Sequence, residues 1–378
     1  MKKLISVLLA VLVVFSLVGC SSNNTTDAPA TDGGNAATKT VYIMGPTPDH
    51  GWTAQAGTYA DQKAKEITDA GQYKGVYMAA SSGEEQVDQC NQIVANNDAA
   101  IVVMMPLEDS AAAGQEALYA AGIPFISFDR IIESTEKYAA LNTSGDNWAV
   151  GAGIAYWLQK NGMKPGDTVV VLYGDNGTVC SRRQEGFEQF LQGTRDYEDQ
   201  NLGTFKTSEV WTADQTAEVF NGYHVVCDWS ADKAVDYLDQ KLNEIIDAAT
   251  KNGGNLYIYS MDDEMTFGVL TTLLTKITGT DYEAKAEALN IYCSAIGGMQ
   301  ELYNVMAGKD AERSAVCDKY FDDIMSMYFS PKMMKDVIDK GLDYCNGNWT
   351  YKQGDGYYTP VFMVGKDLAA TTEGFTGH

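Results

Sequence analysis

Ile123-Pro124-Phe125-Ile126-Ser127-Phe128-Asp129-Arg130 is the stretch on which the reading of the fold turns. Phe125, Ile126 and Phe128 make a short apolar run opened by a proline, the pattern of a buried strand. A carboxylate and a guanidinium follow at its carboxyl end. In an open parallel sheet, ligands bind in the crevice at the carboxyl ends of strands. Aspartate accepts hydrogen bonds and arginine offers a planar fork of donors, so the two together suit vicinal hydroxyls, which need both. An ion pair that merely caps the strand fits the same spacing.

Upstream of this stretch the chain alternates. Strand patterns at 41–45, 75–79 and 99–105 are separated by helical patterns at 52–70 and 84–97, and an alanine-rich helix at 110–121 leads into the strand at Phe125. A βαβαβαβ run with short connections predicts a parallel sheet covered on both faces. Downstream of Asn142-Thr143-Ser144-Gly145 the pattern restarts. Helices are expected at 148–160, 183–191, 232–250, 265–274 and 299–307, and strands at 168–173, 223–227, 256–259 and 291–295. The fold class is therefore α/β, with two doubly wound parallel-sheet lobes. Segments 193–220 and 275–290 lack periodicity and are expected to be surface insertions.

The chain has 378 residues, enough for two domains. Lys2-Lys3, an apolar run over 4–17 and Val18-Gly19-Cys20 read as a signal peptide over 1–19. The apolar run is short for a spanning helix. Residues 20–40 are mostly Ser, Thr, Asn, Asp, Gly and Ala with almost nothing to bury, a disordered tether. The formal net charge is −24, and removal of 1–19, which holds two lysines and no acid, leaves −26. Such a surface repels phosphate backbones and anionic lipid heads, so nucleic acid is excluded as a partner and any membrane attachment must come through lipid. Cys90, Cys180, Cys227, Cys293, Cys317 and Cys345 show no metal-ligand spacing, and the sequence leaves their pairing open.

Enzymatic chemistry finds little support. There are three histidines; His378 is terminal and His224 lies in an apolar strand pattern. No nucleophile elbow, zinc-protease, Walker or dinucleotide motif occurs, no calcium loop is present, and no cofactor or metal is expected. Binding is better served. Pro46-Thr47-Pro48-Asp49-His50-Gly51-Trp52 sets an indole beside a carboxylate and a donor at a helix start, which suits a ring with an apolar face and polar edges; a hydrophobic staple is the other reading. Of five arginines, Arg130, Arg182, Arg183, Arg195 and Arg313, three fall at strand-to-helix junctions. Cys227-Asp228-Trp229 and Ser260-Met261-Asp262-Asp263-Glu264 end two later strands.

Over about 41–364 these motifs, in this order, resemble the extracytoplasmic sugar-binding proteins of ABC importers, the ribose, galactose and xylose group with the periplasmic binding protein type I fold. Cys20 is similarly placed to the acylated cysteine of bacterial lipoproteins. The resemblance implies that Trp52 and Trp229 stack on a sugar ring. It implies that Asp49, His50, Asp129, Arg130, Arg183 and Asp262 contact hydroxyls. Met105-Pro106-Leu107-Glu108-Asp109-Ser110 and Arg183-Gln184-Glu185-Gly186-Phe187 match two further family elements. The chain departs at Ser294-Ala295-Ile296-Gly297-Gly298, where a sugar-binding aspartate is replaced by Ile296 or lost, and at the last crossover, where the usual glutamine is Asp318 or Lys319.

The implied architecture is a hinged clamp. Residues 41–143 and 319–350 would form lobe one, 146–317 and 357–366 lobe two, with crossovers near 144, 318 and 354. A monomeric, lipid-anchored receptor would deliver a neutral pentose or hexose to a permease and its ATPase. The alternatives are ligand sensing for a membrane kinase or chemoreceptor, nucleoside or autoinducer binding on the same fold, and a secreted carbohydrate-active enzyme using Asp129 and Asp262.

Overall fold

Alternating hydrophobic faces build the first sheet in the computed structural model, which describes residues 38–47 and 51–377. The signal, Cys20 and most of the tether lie outside those residues, as do Asp49 and His50. The first half runs β1 (Thr40–Pro46), α1 (Gly51–Ala70), β2 (Lys74–Ala80), α2 (Gly83–Asn96), β3 (Ala99–Met104), α3 (Ala112–Ala120), β4 (Phe125–Phe128) and β5 (Leu141–Gly145). Val41, Ile43, Ile101, Val103, Ile126 and Phe128 face one way, while Tyr42, Met44, Val102, Met104 and Phe125 pack into a second cluster on the other side. Side chains of a strand alternate in this way, and burial of both sets is what a parallel sheet under two layers of helix requires.

The second half runs α4 (Asn147–Lys160), β6 (Thr168–Tyr173), α5 (Thr178–Leu191), β7 (Tyr197–Asp199), β8 (Gly203–Phe205), α6 (Ala213–Asn221), β9 (Tyr223–Val226), α7 (Ala231–Lys251), β10 (Asn255–Ser260), α8 (Asp263–Thr272), α9 (Glu283–Glu287), β11 (Asn290–Gly297), α10 (Gln300–Met306), α11 (Ala311–Tyr320), β12 (Phe321–Tyr328), α12 (Met333–Cys345), β13 (Gly356–Thr359), β14 (Phe362–Gly365) and α13 (Lys366–Ala369). One six-stranded sheet has the order β13-β5-β4-β3-β1-β2 and the other β14-β12-β11-β10-β6-β9. Every pairing within them is parallel except that of β14 with β12.

The chain passes between the sheets three times, and two passages differ from the sequence reading. The first follows β5. The second follows β12 rather than residue 318, because Phe321–Tyr328 pairs with β11 and buries Phe321, Ile324, Met325 and Met327 in lobe two. The third lies between β13 and β14 rather than near 354, because Gly356–Thr359 pairs with β5 in lobe one. Residues 193–220 are also more than a surface insertion. Tyr197, Trp211, Val219 and Phe220 enter the core. The Asp199 carboxylate accepts from the Tyr197 hydroxyl at 2.5 Å, from the backbone N–H groups of Asn201 and Leu202, and from Met363 N–H at 2.9 Å, which ties the β7–β8 hairpin to β14. In 275–290, Ile277, Ala286 and Leu289 are likewise buried. Among the described residues no helix is long and apolar enough to cross a membrane, and Cys90, Cys180, Cys227, Cys293, Cys317 and Cys345 are free thiols.

Candidate ligand site between the two sheets

The carboxyl ends of β1, β3 and β4 in one sheet face those of β6, β10 and β11 in the other. They enclose a cavity with about 570 Å³ of empty space, its mouth included, lined among others by Trp52, Met105, Asp129, Arg130, Val179, Arg183, Trp229, Asp262, Glu264 and Phe329.

From lobe one come Trp52, Asp129 and Arg130. Trp52 is the second residue of α1; its indole N–H donates to the Phe329 carbonyl at 2.7 Å and its ring stacks on Phe128 with centroids 6.3 Å apart. The indole is thus fixed by a hydrogen bond and a flat neighbour, more than a staple needs. Asp129 follows β4 in a left-handed conformation (φ +66°), which aspartate tolerates better than most residues. The turn aims its buried carboxyl into the cavity. Burial raises the Asp129 pKa; Arg130 and Arg183 oppose that rise and Asp175 adds to it. Arg130 donates to the Leu107 carbonyl and pairs with Asp175 of lobe two at 3.4 Å.

From lobe two come Arg183, Trp229 and Asp262. Arg183 is buried on α5; its Nε donates to Asn147 Oδ1 at 2.9 Å and one terminal nitrogen to the Met261 carbonyl at 2.5 Å. Its guanidinium lies over Phe329 and Trp229, 5.2 and 5.6 Å from the ring centroids. The helix carrying it sits against α4 at glycine contacts. A Cβ on Gly151 would lie 1.9 Å from the Arg183 carbonyl oxygen, and one on Gly186 would lie 2.0 Å from that of Trp148. Trp229 also has a left-handed backbone (φ +60°), its ring lies against Gly174, and its N–H donates to Asp175 at 3.0 Å.

Asp262 caps α8, accepting from Glu264 N–H at 2.8 Å, yet also lines the cavity. Burial first, then the neighbouring carboxyls of Asp263 and Glu264, push its pKa well above the usual carboxylate range. The shift favours the protonated form, in which Asp262 offers a donor as well as an acceptor. Asp263 points the other way. It accepts from Gly298 N–H and Met299 N–H, both at 2.7 Å, and from the Ser326 hydroxyl at 2.8 Å, bracing the loop after β11.

The cavity therefore brings together Trp52, Asp129, Arg130, Arg183, Trp229 and Asp262. Lys319 is elsewhere: in the last turn of α11 it pairs with Glu283 and, at 3.2 Å, with Glu287. It was expected at a crossover, but β12 carries the chain on through lobe two, so the residue never nears the cleft. Ile296 and Gly297 do line the cavity, where an aspartate was expected. Sequence reasoning did not select Glu264, Val179, Met105 or Phe329. Phe329 was legible only as the residue after an unrecognised strand. No group of His, Cys, Asp or Glu among the described residues could hold a metal ion.

A family model described as the periplasmic binding protein domain matches residues 41–289, and the chain belongs to this family. A search of curated proteins finds no match. Among solved structures, the chain is similar to the periplasmic binding protein component of the arabinose ABC transporter from Shewanella sp. ANA-3, bound to L-arabinofuranose (17% identity, TM-score 0.60, 88% of this chain and 93% of that one). It is also similar to a galactofuranose binding protein (18%, 0.61, 88% and 96%) and to a carbohydrate transporter solute binding protein from Chloroflexus aurantiacus in complex with D-glucose (18%, 0.62, 88% and 94%). At these identities the likeness is one of fold.

Proposed function

We propose that the chain is an extracytoplasmic receptor that binds one neutral monosaccharide, a pentose or hexose, between its lobes and delivers it to an ABC permease and its ATPase. One observation carries the reading: aromatic faces and hydrogen-bonding edges from both sheets converge on one cavity. A sugar ring has an apolar C–H face and a rim of hydroxyls. Trp52, Trp229 and Phe329 supply the flat apolar surfaces, while Asp129, Asp262 and Arg183 supply acceptors and donors for the rim. The similar structures that hold arabinofuranose and glucose support the same class of ligand.

Binding from both lobes favours the closed arrangement by the ligand's differential affinity for it, which gives a permease a signal to read. The reading is of binding without turnover, by a monomer. Cys20, acylated after removal of 1–19, would hold the receptor to the outer face of the cytoplasmic membrane through the tether.

A thermal-shift screen with L-arabinose, D-galactose, D-glucose, myo-inositol and adenosine tests the reading. At least one sugar is expected to raise the melting temperature, and Asp129→Asn, which the left-handed backbone accepts, is expected to lose the response. No response to any sugar, or an undiminished one in the variant, overturns it.

A further inference from the structure

Resting on the clamp reading above, we propose that Asp175 is an interlobe positioning residue. With Arg130 it forms a latch that holds the closed arrangement from within and sets the orientation of Trp229. Asp175 lies in the loop after β6, fixed there because its Oδ1 accepts from Gly177 N–H at 2.8 Å. Its Oδ2 receives the Trp229 indole N–H at 3.0 Å and faces Arg130, a lobe-one residue, at 3.4 Å. The other terminal nitrogen of Arg130 donates to the Leu107 carbonyl. The two terminal nitrogens thus face protein groups, while Nε has no hydrogen-bond partner. The arginine that resemblance assigns to sugar hydroxyls also joins the lobes.

Two further features place the latch at a boundary. Trp229 and its neighbour Asp228 both have left-handed backbones (φ +60° and +47°), a conformation that persists only where the surroundings enforce it. Asp175 supplies one of those constraints on the indole. Arg130, Val179 and Trp229 also line both the inner cavity and a wider outer groove that includes Glu108, Asp109 and Asp228. The pair therefore stands where the ligand chamber meets the outside. The two charged side chains are 23% and 24% exposed, so their attraction is partly shielded from water and still screened by salt.

The test is small-angle scattering of the full chain without added sugar, at about 20 mM and about 500 mM NaCl, ionic strengths that bracket strong and weak screening. Asp175→Asn keeps an acceptor for Trp229 and removes the charge; Arg130→Met removes the other half and stands as the second variant should the first fail to fold. Without sugar, the wild type is expected to hold a larger closed fraction, and so a smaller mean radius of gyration, at low salt than at high salt. Each variant should already show the high-salt radius of gyration at low salt, its closed-to-open ratio lowered roughly three- to ten-fold. Equal radii and equal salt responses in wild type and variants overturn the latch. Failure of every sugar in the thermal-shift screen would sink the sugar reading and leave this sugar-free comparison intact.

Discussion

Gly186 on α5 passes so close to Trp148 on α4 that a Cβ at Gly186 would lie 2.0 Å from the Trp148 carbonyl oxygen and 2.7 Å from its Cα. The obstacle is backbone on a neighbouring helix, which cannot swing aside as a side chain would. The reciprocal contact at Gly151 doubles the constraint. Gly186→Ala must push the two helices apart, and overpacking of this kind costs about 1–3 kcal/mol or more. A fall in the urea midpoint with an unchanged slope is the expected result. An unchanged midpoint would show that the helices separate freely.

The same helix crossing aims Arg183. Its guanidinium is held by Asn147 Oδ1 and the Met261 carbonyl and lies over Phe329 and Trp229. A lysine keeps the charge but cannot satisfy two fixed acceptors in a plane. Arg183→Lys is therefore expected to weaken sugar binding by roughly 100-fold, close to the loss in Arg183→Ala, with loss of a charged hydrogen bond as the basis of the magnitude. Titration calorimetry with the sugar found in the screen checks this, and near-native affinity in the lysine variant would refute it.

Much of this was legible beforehand, for definable reasons. The strand at Phe125 and the side chains after it were readable because a short apolar run followed by charge admits few alternatives in an α/β chain. Arg183 stood out because arginine is scarce here and falls at strand-to-helix junctions, whereas Trp229 was selected through the resemblance of the ordered motifs. The β12 strand was not legible. Its outward positions carry Asp322 and Asp323, so Phe321-Asp322-Asp323-Ile324-Met325 reads as broken until pairing with β11 supplies the missing face. That omission displaced the second crossover, and Lys319 was assigned to the cleft in consequence. Asp175 was not legible, because its partner Arg130 is 45 positions earlier in the chain and only the closed cleft brings them together.

Lys319 supplies a control. Its ammonium is engaged by Glu283 and Glu287 on α9, away from the cavity lining. Lys319→Met should leave the sugar-induced rise in melting temperature at its wild-type size. A reduced rise would return the residue to the site and discredit the traced crossover.

Asp263 predicts the direction of a pH dependence. Burial raises its folded pKa from 3.8 to about 6, against the hydrogen bonds from Met299, Ser326 and Gly298. For an acid whose folded pKa exceeds its unfolded one, the folded state binds the proton more tightly. The contribution to stability is therefore greatest below the unfolded pKa and is lost as pH rises from about 4 through about 6. Asp262 and Asp129, also raised, act in the same direction. Melting temperature is expected to be higher at pH 5 than at pH 8, the difference arising from roughly 1–3 kcal/mol of linkage. In Asp263→Asn the amide oxygen can still accept the two backbone N–H groups while its NH₂ faces the Ser326 hydroxyl, so the fold should hold and the difference should shrink. A variant whose pH profile overlays the wild type would place the titration on other groups.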